Sequence, residues 1–375
     1  VQILKGKYNK AKVFADELEK SAKEQILRFL DHPAFARGNI AIMPDVHAGK
    51  GAVIGFTMPM SDWVIPNVIG VDIGCGVYGV ELGERKVDFN SLDDFIRHDV
   101  PSGFKVNPEI ASRVGDELKE KIKTISSKVG SDPERDAASI GSLGGGNHFI
   151  EIDRSEKNGS LWLVVHSGSR HFGYAVAQYH QNRARNYARM HNIEVHGGLE
   201  YLPLNEGGKE YIEDMKVAQQ MAQKNRRIMA GRIVEDFLGL DMEECETVES
   251  IHNYINFDDH IMRKGAVSAH LDEKLIIPFN MRDGAVIARG KGNPDWNYSA
   301  PHGAGREMSR TEAKKEIDYE KFKKSMENVW STSVSKKTLD EAPFAYKNMK
   351  TVLSDIEPTI EILFFMKPVY NFKAP

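Results

Sequence analysis

The spacing of apolar positions changes character several times along the chain. Between residues 11 and 31, Val13, Leu18, Ile26, Leu27, Phe29 and Leu30 recur at helical spacing among lysines and glutamates, which predicts an amphipathic helix. Over residues 39–82 the pattern becomes short apolar runs broken by glycine, namely NIAIMPDV, AVIGFTMPM and VIPNVIGVDIGCGVYGVEL, which predicts strands. Glycine inside a strand marks a bulge or backbone packed closely on a ligand. Residues 109–129 read as an exposed helix. SIGSLGGGNHFIEI and LWLVVHSGSR predict two strand-plus-loop units, with Asn158-Gly159 as the hairpin turn between them. The longest helical stretches cover 173–190 and 208–238. Strand and loop return after residue 251 through LIIPF and AVIARG, and a Lys/Glu-rich helix over 311–330 precedes a last strand, EILFFMKPVYNF. Helix and strand interleave without a linker, an internal repeat or a low-complexity tract. That predicts one large α+β domain over residues 1–375 rather than two.

Composition narrows the class. A chain that is 41% hydrophobic and 28% charged is globular, so disorder and fibrous repeats are excluded. With 50 basic and 54 acidic residues the net charge is -4, which argues against coating nucleic acid by bulk charge but leaves room for a local groove. The two cysteines, Cys75 and Cys245, cannot make a disulfide framework. No apolar run approaches the ~20 residues of a membrane span, and no leader is visible at the N-terminus. These features together predict a cytoplasmic protein with no membrane partner.

The chemistry sits in polar residues on glycine-rich loops, where packing gives no reason for them. Asp72 and Cys75 lie three apart in DIGCG, and a carboxylate with a thiolate is a transition-metal combination. In GGGNHFIE, three glycines allow close approach of an anion, and Asn147, His148 and Glu151 offer a donor, a metal ligand and an acceptor. This is not a dinucleotide fingerprint, because the glycine spacing is wrong and a strand follows. His166 ends the apolar run LWLVV, with Arg170 close by as a phosphate clamp; His252-Asn253 is a weaker pair. His302 precedes Gly303-Ala304-Gly305-Arg306, which sets a potential phosphorus nucleophile on thin backbone beside an arginine. PDVHAGKG adds Asp45 and His47 without Walker A spacing. Plain readings stand beside these: a core cysteine, glycine turns, a turn histidine. His32, His98, His171, His180, His191, His196, His260 and His270 read as surface residues, and Cys245 as a bystander. Arg183, Arg185 and Arg189, like Lys224, Arg226 and Arg227, read as solvated helix faces.

Taken in order, PDVHAGKG, VDIGCGV, GSLGGGNHFIE, HSGSR, IHN and SAPHGAGR resemble the RtcB family of RNA-splicing ligases, from residue 44 to residue 306, with a fainter match ending at Lys373. The resemblance implies a single RtcB-like domain with mixed sheets around a metal and nucleotide cleft and with peripheral helices. It implies joining of RNA 2′,3′-cyclic phosphate or 3′-phosphate ends to 5′-hydroxyl ends, with GTP and two Mn²⁺, in RNA repair or tRNA splicing. His302 would carry GMP as a guanylyl-histidine and pass it to the RNA 3′-phosphate. Asp72, Cys75 and His148 match the ligands of one metal, and Cys75, His166 and His252 those of the other. Asn147, His148, Phe149, Glu151, Asn253, Gly303, Ala304, Gly305, Tyr346 and Lys373 match nucleotide contacts. Arg170 and Arg306 would meet RNA, and Asp45 would orient His302. Relatives carry Pro-Gly-Ser-Met-Gly where this chain reads Pro278-Phe279-Asn280-Met281-Arg282, the later serine of that segment falls on Ala285, and the terminal Lys-Gly becomes Lys373-Ala374. Those departures alter the guanine contacts of Pro278, Asn280 and Met281 and suggest a shorter, divergent branch. An activating or repair-pathway protein is a further expected partner. The alternative reading is a metal-dependent RNA-end phosphoesterase or cyclic-phosphate hydrolase without nucleotidyl transfer, which needs the same ligands but no GTP.

Overall fold

A computed structural model describes residues 1–374. Its centre is a seven-stranded, wholly antiparallel sheet in the order Thr247–Ile251, Gly76–Gly83, Leu161–Ser167, Phe149–Ser155, Ile360–Lys373, Gly284–Gly290 and Lys274–Asn280. The two end strands approach each other, where Ile276 N donates to Ser250 Oγ at 2.9 Å, so the sheet nearly closes on itself. LWLVVHS is buried at every position because both faces of its strand are covered, which is why it reads as an unbroken apolar run. Trp162 and Val164 point inward to Ile276, Ile287 and Met366. Leu161, Leu163 and Val165 point outward, beneath Met229, Ile233 and Val234 at the end of a long helix.

The two-residue period then decides where the chemistry goes. His166 shares the inward face with Trp162 and Val164, as Cys75 does with Val77, and Glu151 with Phe149. All of these lie toward one rim of the nearly closed sheet. A six-stranded sheet covers that rim from one side: Gln2–Lys5, Lys10–Val13, Ile40–His47, Ile54–Pro59, Ile261–Lys264 and Asn253–Asn256. Only the pair Lys10–Val13 and Ile40–His47 is parallel. Helices and sheets thus form a single α+β domain, as the sequence pattern predicts.

The structure revises several local expectations. Residues 11–31 contain a strand, Lys10–Val13, before the helix Lys20–Leu30, because Ala11 and Val13 alternate inward. The region 109–129 is two helices, Pro108–Ala111 and Asp116–Val129, and 311–330 is Arg310–Glu316 and Tyr319–Ser325 with Ser309 and Asp318 as separate N-caps. The stretch 208–238 ends its α-helix at Gly231 and continues as one π-turn segment, Arg232–Phe237. The hairpin at Asn158-Gly159 is present, with Gly159 at φ +74°. Among the described residues no helix is long and apolar enough to cross a membrane.

Three residues assigned to the surface are buried. His32 packs edge-on against Phe35 and Tyr201. His180 bonds Asp214 at 2.7 Å inside the helical layer. Arg226 is fully buried on the helix Gly208–Gly231. Its Nε and Nη2 donate to Glu249 Oε1 at 3.0 and 2.8 Å, and its Nη1 donates to Gly74 O and Ser167 O at 2.7 and 2.9 Å. A charge run reads as a solvated face only when no partner from a distant strand satisfies one of its members, and here Glu249 does. Arg226 therefore ties together the chain on either side of Cys75 and His166. Arg226→Ala leaves Glu249 with only Gln223 and the half-exposed Arg227 and strands two buried carbonyls, so a loss of about 3 kcal/mol in stability is expected, read as a lowered midpoint of urea unfolding.

Candidate metal and nucleotide site

Two groups of potential ligands meet at Cys75. Cys75, His166 and His252 form one trio and Asp72, Cys75 and His148 the other, with the ligand atoms of each trio within 4.8 Å of one another. Cys75 Sγ lies 3.3 Å from His166 Nε2 and 3.5 Å from His148 Nε2. His148 Nε2 is 3.0 Å from Asp72 Oδ2, and His166 Nε2 is 3.0 Å from His252 Nε2. The far side of two rings fixes their tautomers. His148 Nδ1 donates to Leu143 O at 2.8 Å and His166 Nδ1 donates to Asn147 O at 3.0 Å. Each Nε2 lone pair is thereby aimed at Cys75, the arrangement that carbonyl-anchored imidazole ligands adopt. His252 Nδ1 is buried with no hydrogen-bond partner.

Electrostatics fits the same picture. Burial, then the Asp72 charge, pushes the Cys75 thiol well above its usual range. Burial holds His166 and His252 well below the usual imidazole range, with His148 and His302 nearby adding to the effect. Burial alone would raise Asp72, but its bond to His148 and the Arg170 charge outweigh that and keep it ionised. Acceptors of this kind packed against one another repel unless a cation lies among them. Sulfur, imidazole and one carboxylate make a set that borderline divalent metals accept.

The loops around the trios are shaped by contact. Gly144 has φ +92°, and a Cβ there would lie 2.1 Å from Arg170 Nη1 and 2.6 Å from His148 Nδ1. The first glycine of GGGNH thus makes room for a ligand histidine and an arginine, whereas the sequence alone pointed to an anion. Arg170 donates from Nε to Ser142 Oγ at 3.1 Å and from Nη2 to Gly103 O at 2.7 Å, at the edge of the Asp72 trio. Asn225 braces the same loops, accepting from Gly141 N and Ser142 N and donating to Gly168 O.

A cleft of about 790 Å³ runs from His166 and His252 to the C-terminal strand. Asn147, Phe149, Glu151 and Asn253 line it, as do Pro278, Asn280 and Met281, the segment from His302 to Arg306, and Tyr346 and Lys373. Every expected nucleotide contact except His148, which lies behind the cleft, is thus on one wall or another. His302 stands where the cleft meets the trios, its ring 4.7 Å from that of His252. Its Nδ1 donates to Asp45 Oδ2 at 2.7 Å, and Asp45 is fully buried. The Nδ1–H bond to a carboxylate leaves the His302 Nε2 lone pair free. Gly305 makes this approach feasible: at φ +72°, its Cβ position lies 2.6 Å from Asp45 O.

Some expected contacts are spent within the wall. Asn253 donates Nδ2 to Asp72 O at 3.3 Å and accepts from Gly265 N at 3.0 Å. Asn280 accepts from Arg282 N and Asp283 N, which closes its own turn. Arg306 donates to Met308 O and Asp340 O and stacks on Tyr346. Glu341, which belongs to none of the sequence motifs, is the hub of this wall. Its carboxylate takes Lys373 Nζ at 2.8 Å, Tyr346 OH at 2.7 Å and Arg310 Nη1 at 2.6 Å. Burial opposes the charge, but Lys373 and Arg310 hold Glu341 down at about 2. Its only sequence signal was its place beside Pro343 and Tyr346 in DEAPFAY. Burial raises Glu151, on the strand paired with that of Lys373, to about 7 against the pull of Lys373, and Asn371 bonds its carboxylate.

The family described as tRNA-splicing ligase RtcB matches residues 25–374. The chain belongs to the RtcB family. It is 31% identical over 400 aligned positions to the RNA-splicing ligase RtcB of Escherichia coli (strain K12), covering 95% of both chains. Against the tRNA-splicing ligase RtcB of Aeropyrum pernix it is 27% identical over 435 positions, covering 91% of this chain and 89% of the other. The counterpart from Thermococcus kodakarensis is 25% identical over 431 positions.

Cys75 belongs to both trios, so Cys75→Ala should weaken divalent-metal binding by more than the roughly 10–100-fold typical of losing a supporting residue. Competition against a fluorescent chelator measures this. The thiol is protonated at neutral pH, so metal binding should release a proton and tighten about tenfold per pH unit; buffers of different ionisation enthalpy read out that proton calorimetrically.

Proposed function

We propose that the protein is a GTP-dependent RNA ligase that joins 2′,3′-cyclic phosphate or 3′-phosphate ends to 5′-hydroxyl ends, using His302 as the nucleophile. One observation carries this reading. The only cleft-lining histidine with its Nδ1 locked to a buried carboxylate stands at the junction of a nucleotide-sized cleft and two metal-ligand trios. A phosphoesterase needs the trios and could use that histidine only as a proton donor, with no need of a nucleotide-sized cleft beside it.

In this reading, Asp45 keeps His302 in the tautomer with a free Nε2 and stabilises the positive charge that builds as Nε2 attacks the α-phosphorus of GTP. The N–P bond forms, the bond to the β-phosphate breaks and pyrophosphate leaves. The cyclic RNA end is opened by water to a 3′-phosphate, whose oxygen takes the GMP from His302 and restores the free ring. The 5′-hydroxyl then attacks the activated phosphorus, forming the phosphodiester and expelling GMP. Asp72, Cys75 and His148 would hold one divalent metal and Cys75, His166 and His252 another, and such ions, Mn²⁺ by the family resemblance, would supply charge neutralisation to phosphoryl oxygens. The donor set by itself suits Zn²⁺ as well, so Mn²⁺ rests on the family resemblance.

Glu151 and Lys373 face the cleft with opposite charge, suited to the N–H edge and the carbonyl of guanine, while Tyr346 offers a ring for stacking. The Asn280 turn replaces the glycine-serine segment of relatives and narrows what that wall can donate. Arg170 is committed to the Ser142 hydroxyl and a carbonyl, and Arg306 to two carbonyls, so RNA phosphate would share their remaining donors.

Mixing the protein with labelled GTP and Mn²⁺ should give a covalent GMP adduct that His302→Ala abolishes. Asp45→Asn should lower the adduct rate by about 100-fold or more, by favouring the wrong tautomer. Absence of adduct on the unaltered protein across several divalent metals, with 3′-phosphate ends still released without GTP, would establish the phosphoesterase instead. Glu151 must be ionised to accept from guanine, and its pKa is about 7. GTP binding should therefore tighten as pH rises through that value and lose this dependence in Glu151→Gln, measured by equilibrium titration.

A further inference from the structure

An exposed aromatic patch lies beside the Asp72 trio, outside the nucleotide cleft. Phe104 is 93% exposed, more than any other large apolar side chain among the described residues. Its backbone is nevertheless pinned. Leu143 N donates to Pro101 O at 2.8 Å, and Gly103 N donates to Gly144 O at 3.0 Å. Arg170 Nη2 donates to Gly103 O at 2.7 Å, and Arg135 Nη2 donates to Phe104 O at 3.0 Å. Holding a phenyl ring in water on a fixed loop forgoes its burial, so folding gives no reason for it.

The surroundings extend the patch. Arg135 precedes Asp136, whose carboxylate contacts His171 Nδ1 at 3.3 Å, and the His171 ring lies 6.0 Å from that of Tyr174, itself 45% exposed. Phe104, Arg135, His171 and Tyr174 therefore form one surface. Its inner edge is Arg170, which adjoins Asp72, and the Asp72 side chain is 31% exposed while Cys75 and His148 are buried. Arg170 thus links the loop that carries Phe104 to the partly exposed edge of that trio.

We infer that this patch is a stacking platform for unpaired bases of the RNA strand whose end reaches the metal-ligand trios. The inference rests on the RNA-ligase reading. Aromatic faces stack on any base, which suits an enzyme that must accept ends of varied sequence, and a guanidinium beside a ring adds to the stack. Glu134, beside Arg135, is paired with Lys123 at 2.8 Å, which leaves Arg135 as one cation beside the ring, so the salt dependence of this contact is shallow.

The test uses single-stranded RNA carrying 2-aminopurine at successive positions, counted from a 3′-phosphate end in one arm and from a 5′-hydroxyl end in the other. The unaltered protein should quench one or two adjacent positions in one arm, which identifies the strand. Phe104→Ala should abolish that quenching and weaken RNA binding about tenfold, Tyr174→Ala should weaken it less, and Phe104→Trp should keep both signals. Phe104→Ala that binds and quenches like the unaltered protein overturns the inference. The histidine adduct, measured without RNA, tests the ligase reading separately. Absence of adduct with Phe104-dependent RNA binding would sink that reading and leave the platform standing.

Discussion

The structure depends on keeping a buried thiol, three imidazoles and a carboxylate within a few ångströms of one another. Groups that all present lone pairs do not cluster spontaneously in a low-dielectric interior, so the fold must hold them there. It does so from behind. Leu143 O and Asn147 O take the outer protons of His148 and His166, Arg226 binds the carbonyls of Gly74 and Ser167, and Asn225 clamps the loop that follows Gly141. Apart from the Leu143–His148 bond within one loop, each brace comes from a segment distant in sequence. The local strain of the cluster is therefore met by the whole domain rather than by any one motif.

The nearly closed sheet supplies the common frame. Alternation along its strands sends Trp162 and Val164 into a packed interior and then, two residues on, delivers His166 to the rim. The same parity delivers Cys75, Glu151 and Lys373. Residues of quite different chain position meet because antiparallel register places Phe149 opposite His166 on one side and Lys373 on the other. Rim positions are where inward-facing side chains stop packing against one another and begin to face a ligand. Chemistry concentrates there for that geometric reason.

The cleft also explains how an acidic protein suits an anionic substrate. Glu341 gathers Lys373 and Arg310 around one carboxylate, which keeps those cations ordered within the wall instead of solvated outside it. A net charge of -4 is a sum over the whole chain and says little about a cavity in which a few cations and two metal-ligand trios set the local field.

Much of this was legible from the residues. A polar residue set between glycines has no packing role, so DIGCG, GGGNHFIE, HSGSR and PHGAGR announced chemistry before any fold was known, and apolar runs such as LWLVV announced strands. Spacing along the chain also predicted helices over 11–31 and 173–190, which the structure places at Lys20–Leu30, after a strand, and at Arg170–Met190. What the sequence could not decide was which polar groups would find partners across long separations. Arg226 looked like a solvated charge until Glu249 and two strand-end carbonyls enclosed it. Gly144 looked like a phosphate turn until Arg170 filled the space beside it, and Glu341 carried no motif at all. Local propensity is written in neighbouring residues, whereas burial, tautomer and charge are set by groups that only the tertiary structure brings within hydrogen-bonding reach.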